Sequence, residues 1–192
     1  MKNAVFLGLS LLMSACTSLG RLSTDATLES NQESIFILGV APENYRIFVF
    51  PGSIEDGRFR QNPFRPAAVY GAAENGFVVG KASAGDTVAI TNVRVVKDKD
   101  SILGADFQPC RDAKTMTFSI PGGKELYLGH VEYEFVGEKL MIKYGQDVNS
   151  AKKYLDENYP KLRGRLESWE YQLLPTTKSC ISSIPVYLPR MR

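Results

Sequence analysis

Short runs of β-branched and aromatic residues, divided by turn-forming residues, recur along most of the chain and constrain its fold more than any other feature. Valine, isoleucine, tyrosine and phenylalanine suit a pleated, half-buried surface, whereas glycine, proline, asparagine and aspartate suit turns. The sequence therefore predicts strands over residues 34–40, 45–51, 67–71, 76–81, 86–96, 115–120, 125–135 and 138–144. A further strand is predicted around Trp169, Tyr171 and Leu173, which alternate.

Apolar and polar residues alternate along 125–135, and a period of two is typical of a half-buried strand. The residues predicted to share one face are Tyr127, Val131, Tyr133 and Phe135. The residues predicted on the opposite face are His130, Glu132 and Glu134. Val136-Gly137 then predicts a hairpin into the next strand.

One helix is predicted late in the chain, over residues 150–158, where helix-forming residues predominate. Asp147 or Asn149 can cap its start, and Pro160 ends it because the residue before a proline disfavours the helical conformation. Its predicted apolar face consists of Ala151, Tyr154, Leu155 and Tyr159. Many short strands with one late helix predict a mainly β protein, an antiparallel β-sandwich with one late α-helix.

The N-terminus has the composition of an export signal. Lys2 supplies a positive charge, residues 4–13 are apolar, and the small residues Ser14 and Ala15 precede Cys16. Ten helical residues rise only about 15 Å, about half of the hydrocarbon core of a bilayer, so this segment is too short to serve as a transmembrane anchor.

Residues 12–16, Leu-Met-Ser-Ala-Cys, resemble the lipobox of bacterial lipoproteins, although that family usually has leucine where Met13 stands. The resemblance implies that Cys16 is lipidated and begins the mature chain. A diacylglyceryl group, often with a third acyl chain, would then hold the protein on a membrane, because stable anchoring needs two chains or more. The alternative is an ordinary signal peptide with an incidental cysteine.

The resemblance also implies a location and a domain organisation. Thr17 stands where an aspartate would favour retention at the inner membrane, so in bacteria with two membranes we expect the outer membrane of the cell envelope. We predict a signal peptide over 1–15, a lipidated N-terminus with a flexible tether over 16–33, and the β-sandwich domain over 34–192. Alternatively, Leu19, Leu22 and Leu28 fold onto the domain and shorten the tether.

The chain has three cysteines, and lipidation of Cys16 would leave Cys110 and Cys180. The exported compartment implied by the resemblance permits disulfides, so we predict that these two cysteines pair. The alternative is two buried free thiols. Neither residue belongs to a C-x-x-C motif, which gives little support to thiol exchange or zinc binding.

A second resemblance covers residues 76–135. The stretches GFVVGKASAGDTVAITNV and FSIPGGKELYLGHVEYEF resemble small transthyretin-like or immunoglobulin-like sandwich domains of bacterial lipoproteins. This resemblance implies a fold and no activity.

Composition and residue types exclude or disfavour several kinds of ligand and active site. With 23 basic and 21 acidic residues, the net charge of +2 gives no electrostatic case for nucleic acid. His130 is the one histidine, no G-x-S-x-G motif accompanies it, and a metal site built on histidines is excluded by count. Asp98, Asp100 and Asp106 do not meet the spacing of a calcium-binding loop. We therefore predict no cofactor and no metal.

Residues 57–66 form the most unusual predicted loop, because three arginines are interleaved there with two phenylalanines and two prolines stiffen the segment. Arginine and aromatic side chains are enriched at interface hot spots and also suit contacts with glycans and anions. The candidate partner-binding residues are Arg58, Phe59, Arg60, Phe64 and Arg65. The alternative is a surface loop whose phenylalanines pack on the edge of the sheet.

These observations favour a lipid-anchored envelope protein, not an enzyme, whose domain binds or scaffolds an envelope protein or a glycan. The alternative is an envelope hydrolase with a dispersed carboxylate active site, which would require a cleft holding one desolvated carboxylate with a raised pKa. A purely structural role in the envelope is the third possibility, and the sequence does not distinguish it from the binding or scaffolding role.

Overall fold

The computed structural model describes residues 22–99, 101, 103–137 and 139–180. The predictions for the signal peptide, for Cys16 and for residues 181–192 lie outside the described residues. The strands are β1 (Glu33–Ala41), β2 (Arg46–Glu55), β3 (Arg58–Gln61), β4 (Val69–Ala72), β5 (Phe77–Ser83), β6 (Thr87–Val95), β7 (Ala105–Phe107), β8 (Lys114–Ser119), β9 (Glu125–Val136), β10 (Lys139–Gly145), β11 (Leu166–Ser168) and β12 (Gln172–Pro175). A helix, α1 (Val148–Asn158), and a 3-10 turn (Pro160–Leu162) follow β10.

The strands form two sheets, as a mainly β sandwich requires. The first sheet has the order β10-β9-β1-β5, with β11 also paired to β9. The second has the order β12-β8-β6-β2-β3, with β4 on β2 and β7 on β6. Most neighbours are antiparallel, but β9 runs parallel to both β1 and β11. The predicted sandwich is confirmed, and these two parallel pairings are its departure from a purely antiparallel one.

The first sheet is buried on both faces, so the molecule has two cores. The main core lies between the sheets and includes Phe36, Ile47, Ile90, Phe118 and Leu126. The second core lies on the outer face of the first sheet, where α1 covers it. Double coverage explains why β1 is buried at every position except its two ends and reads as a nearly continuous apolar run.

The predicted helix is confirmed, together with its cap. Asp147 accepts a hydrogen bond from the backbone N–H of Ser150 at 3.1 Å. Ala151, Tyr154 and Leu155 are buried against the first sheet. The backbone N–H of Asp147 also donates to the hydroxyl of Tyr127 at 2.7 Å, which fixes the start of the helix to β9.

A bulge in β9 corrects the predicted faces of that strand. Tyr127 lies in the second core, whereas Val131 and Tyr133 lie in the main core, so placing all three on one face was wrong. The register between β9 and β1 shifts between Ile37 and Gly39, and Gly129 has a φ of +109°. An extra residue at a bulge exchanges the two faces of every residue beyond it.

The predicted strand around Trp169 is wrong at its centre. β11 ends at Ser168 and β12 begins at Gln172, and the residues between them cross from the first sheet to the second. The backbone N–H of Trp169 donates to the carbonyl of Tyr127, and its indole N–H donates to the carbonyl of Ser119 at 2.8 Å. Alternating aromatics here mark a crossover whose rings cover the main core.

Two further predictions concern the ends of the domain. Leu22 and Leu28 pack against the second core, as the alternative to a flexible tether predicted for them, and Leu19 lies outside the described residues. Cys110 and Cys180 form a disulfide with their Cα atoms 5.0 Å apart, which confirms the predicted pairing. The bond fastens the chain beyond β12 to the loop that precedes β8.

We expect Gly129→Ala to lower the free energy of unfolding by about 1–3 kcal/mol, the cost of an unfavourable backbone conformation. A Cβ there would also lie 2.8 Å from Cε of Met116. The measurement is urea denaturation followed by the fluorescence of the single tryptophan, Trp169. Gly145→Ala is the matched control on the neighbouring strand, because its nearest atom would be Cβ of His130 at 3.9 Å. Equal losses in the two variants would contradict the assigned role of the bulge.

Candidate functional site

One side of the sandwich is only partly closed. The crossover at 169–171 covers part of it, and there the hydroxyl of Tyr144 donates to the carbonyl of Lys114 at 2.9 Å. Farther along, β10 of the first sheet and β7 of the second are both edge strands among the described residues. The two sheets remain apart between these edges, and a cleft opens into the main core.

The cleft has a volume of about 420 Å³, within the range of small-ligand and peptide pockets. Its walls are mostly apolar, and the residues that define them are Ile90, Val93, Phe107, Tyr133, Leu140 and Ile142. Lys139 stands at the cleft as its one charged lining residue among the described residues. The arrangement can hold an apolar group and fix its orientation through few polar contacts.

Exposed apolar side chains extend the cleft onto the surface of the β9–β10 hairpin. Met141 and Phe135 are 48% and 44% exposed, and Val136 beside them is 59% exposed. The ring of Phe107 meets that of Phe135 edge to face at 5.5 Å, which connects the two sheets at this end. Neighbouring exposed apolar residues of this kind mark interaction surfaces.

The far wall of the cleft is held by covalent and polar contacts. Cys110 lines it and is fixed by the disulfide to Cys180. Thr115 donates from its hydroxyl to the carbonyl of Ile90 at 2.6 Å. These contacts preorganise the wall before any partner binds.

Part of the predicted loop 57–66 is a strand. Residues Arg58–Gln61 form β3, which pairs with β2 from Gly52 to Glu55. Phe59 is only 1% exposed and packs inside, as the alternative for this segment required. Arg58 donates to the carbonyl of Thr176 at 3.3 Å, and Arg60 pairs with Glu55 at 2.9 Å.

The remaining candidate residues of segment 57–66 are Phe64 and Arg65. Phe64 is 95% exposed, and Arg65 makes a bidentate ion pair with Asp86 at 2.6 and 2.9 Å. Of the five candidate residues, only Phe64 presents its ring to solvent. Phe59 is therefore closed to a partner, whereas the side chains of Arg58, Arg60 and Arg65 are 41%, 63% and 42% exposed and each is engaged by an acidic residue of the chain.

An arginine–aromatic stack that the sequence analysis missed lies on the second sheet. The rings of Phe48 and Tyr70 stack at 4.1 Å, and the Arg94 guanidinium lies 5.8 Å from the centre of the Phe48 ring. Arg94 also donates two hydrogen bonds to Asp106 of β7, at 2.7 and 2.8 Å. These bonds raise the pKa of the Arg94 guanidinium. These residues meet only through strand pairing, so no local sequence signal could have revealed them.

Glu125 is the buried carboxylate of the described chain and was also missed. It is 3% exposed, and its Oε1 has no hydrogen-bond partner among the described residues. It borders a polar depression of about 440 Å³ that also contains Lys124, Arg165 and Glu167. Burial raises the pKa of Glu125, Arg165 lowers it to a lesser degree, and Glu167 adds to the rise.

The other candidate groups form no site in the described part of the chain. His130 is half-buried and lies beside Gly39, where a Cβ would meet its ring. Among the described residues, no three His, Cys, Asp or Glu side chains come close enough to hold a metal ion. No helix in the described ranges is both long and apolar enough to cross a bilayer.

Comparison of the chain with models of protein families, with curated proteins and with solved structures finds no match in any of the three.

We expect the stability of the wild type relative to Glu125→Gln to fall as pH rises from the ordinary carboxyl pKa of 4.5 through the raised pKa of Glu125. In that window the folded protein binds the proton that the unfolded chain has released, so each rise in pH favours unfolding. Urea denaturation at a series of pH values measures the difference. Glu157→Gln removes an exposed carboxylate of α1 as the control. A flat difference between wild type and Glu125→Gln would contradict the burial effect.

Proposed function

We propose that this protein is a lipid-anchored protein of the bacterial envelope whose sandwich domain binds an extended segment of a partner protein. The observation that carries the proposal is the apolar cleft between β7 and β10, which opens beside the unpaired edge of β10. The proposed role is binding rather than catalysis.

The edge of β10 supports an extended occupant. β10 pairs with β9 along Lys139–Gly145, and no other described strand pairs with it. Its outer N–H and C=O groups can therefore bond to an added strand, and alternate side chains of that strand would enter the cleft. An acyl chain could fill the cleft but could not use these backbone groups.

The charges on β10 favour a partner over a second copy of this chain. In an antiparallel pair of two β10 strands centred on Met141, Lys139 of each copy would face Lys143 of the other. Like charges placed opposite each other destabilise a sheet, and edge lysines are a known barrier to self-association. Glu134, 2.6 Å from Lys143, offsets only part of this repulsion, and Lys139 at the cleft remains to attract an acidic residue of the partner.

The membrane anchor rests on the resemblance of residues 12–16 to the lipobox. If Cys16 carries the lipid, the docking of Leu22 and Leu28 on the second core shortens the span between lipid and domain. The domain would then be held close to the membrane surface, where a partner in the envelope meets it at high effective concentration.

A second candidate function has one specific observation in its favour. An envelope hydrolase with a dispersed carboxylate site requires a desolvated carboxylate of raised pKa, and Glu125 has both properties. In such an enzyme the protonated Glu125 would act as the general acid. Hydrolysis of fluorogenic glycosides and esters that Glu125→Gln abolishes and Glu157→Gln preserves would establish it in place of the binding role.

A photoreactive amino acid at position 141 tests the cleft in living cells. We expect illumination to join position 141 to a peptide segment of an envelope protein, because Met141 lines the cleft and is 48% exposed. Mass spectrometry of the product identifies the joined residues. The matched control is position 54, because Ile54 is an apolar strand residue of similar exposure, 43%, on the β2–β3 hairpin.

Each possible crosslinked product identifies a different occupant of the cleft. An acidic, extended peptide joined at 141 and absent at 54 supports the proposal. A phospholipid adduct would assign the cleft to an acyl chain, and a product containing two copies of this chain would assign it to self-association. Equal labelling at 141 and 54 would refute a specific site.

Cys16→Ser tests the anchor independently of the cleft. We expect the variant to lose the lipid and to be either unprocessed or soluble, because the thiol is the acyl acceptor. Cell fractionation with mass spectrometry of the N-terminal peptide measures both properties. Cys110→Ser should keep the lipid and serves as the control for loss of a thiol. A Cys16→Ser chain that remains membrane-bound after cleavage of its signal would refute the lipobox interpretation.

A further inference from the structure

The environment of Glu125 leaves its carboxylate short of hydrogen-bond donors. Glu125 begins β9, where it pairs with Ile35 of β1 on one side and Leu166 of β11 on the other. Ile35 belongs to the second core, so the carboxylate faces apolar neighbours on that side of the sheet. A buried, ionised oxygen without a donor is costly, and proteins usually pair such a group.

The two cations of the depression do not supply this donor. Lys124 is occupied by Glu167, whose two oxygens lie 2.7 and 2.9 Å from Nζ. Nη1 of Arg165 lies 3.8 Å from Oε1 of Glu125, which is an ion-pair distance but too long for a hydrogen bond. The side chain of Arg165 is 65% exposed at the rim, whereas that of Glu125 is 4% exposed.

The depression therefore has a negative group at its base and a positive group at its rim. Its rim also contains Gly123 and Gly164, and a Cβ at Gly164 would meet no atom within 4 Å, so access from that side is open. A volume of about 440 Å³ suits a small ligand.

We propose that this depression binds a small zwitterion, such as a free amino acid, whose ammonium donates to Glu125 and whose carboxylate accepts from Arg165. A single ligand then replaces the long Glu125–Arg165 contact with two direct charge-assisted hydrogen bonds. A simple cation would meet repulsion from Arg165, and a simple anion would meet repulsion from Glu125. The zwitterion satisfies both residues at once.

Ligand binding in this form links two parts of the fold. Glu125 belongs to β9, whereas Arg165 belongs to the segment between the 3-10 turn and β11. A ligand that joins them stabilises the folded state, and the stabilisation rises with the logarithm of ligand concentration once that exceeds the dissociation constant. It also requires ionised Glu125, and because burial raises the pKa of that carboxyl, binding releases protons near that pKa.

Isothermal titration calorimetry of the full chain tests the proposal with defined probes. The zwitterions are glycine, L-alanine, L-lysine and L-glutamate, and the single-charge controls are ethylammonium chloride and sodium acetate, with glucose as a neutral hydroxyl ligand. We expect millimolar or tighter binding of at least one zwitterion and none of the three control ligands. Titration in buffers of different ionisation enthalpy should show proton release.

Substitutions identify the two groups that hold the ligand. Glu125→Gln and Arg165→Gln should each weaken zwitterion binding at least tenfold, while Arg165→Lys should restore part of it. The matched controls, Glu157→Gln and Arg163→Gln, change exposed residues of the same region and should leave binding unchanged. A purely structural ion pair between Glu125 and Arg165 would change stability in these variants without any ligand response in the wild type.

Several outcomes would overturn the inference. Acetate binding as tightly as the zwitterions would make the depression an anion site, and ethylammonium binding equally well would make it a cation site. Binding of glucose alone, or of none of the zwitterions, would also refute the proposal. Because Glu125 and Met141 lie at different sites, failure here leaves the partner-binding proposal intact, and the crosslinking result does not decide this one.

Discussion

The whole structure depends on β9, which is hydrogen-bonded along both edges and, from Glu125 to Gly129, buried on both faces. β1 occupies one edge, while β10 and β11 divide the other between residues 130–136 and residues 125–127. The strand contributes Leu126, Leu128, Val131 and Tyr133 to the main core and Tyr127 to the second core. Ordinary alternation serves the two cores up to Leu128, and the bulge at Gly129 then places the odd-numbered residues Val131 and Tyr133 in the main core.

The positions of both candidate sites follow from the way in which β9 is shared. β10 covers the later part of its edge, pairs on its own outer side with no other described strand, and lines the cleft there. β11 covers the beginning of that edge, and the turn before it brings Arg165 over Glu125. The two sites therefore lie toward opposite ends of β9 and have contrasting chemistry, one apolar and one charged.

The surroundings of the cleft are fixed before binding, which lowers the entropic cost of recognition. The disulfide holds the loop before β8, and the bidentate pair of Arg94 with Asp106 holds β7. The arginines of the β3 segment have a comparable structural role, since Arg58 and Arg65 are engaged within the chain. Residue types that are enriched at interfaces are also those that fasten loops, so composition alone could not distinguish the two uses.

Features that depend on neighbours along the chain could be predicted from the sequence. Local propensity and turn chemistry predicted most strands, Asp147 and Asn149 were the two predicted caps, of which Asp147 caps the helix, and cysteine count with the implied compartment predicted the Cys110–Cys180 pair. Tertiary structure alone decided the features that depend on strand register: the bulge at Gly129, the crossover at Trp169, the burial of Phe59 and the isolation of the Glu125 carboxylate. A shift of one residue in pairing exchanges the two faces of a strand, and nothing within a single strand specifies which residues of a distant strand will oppose it.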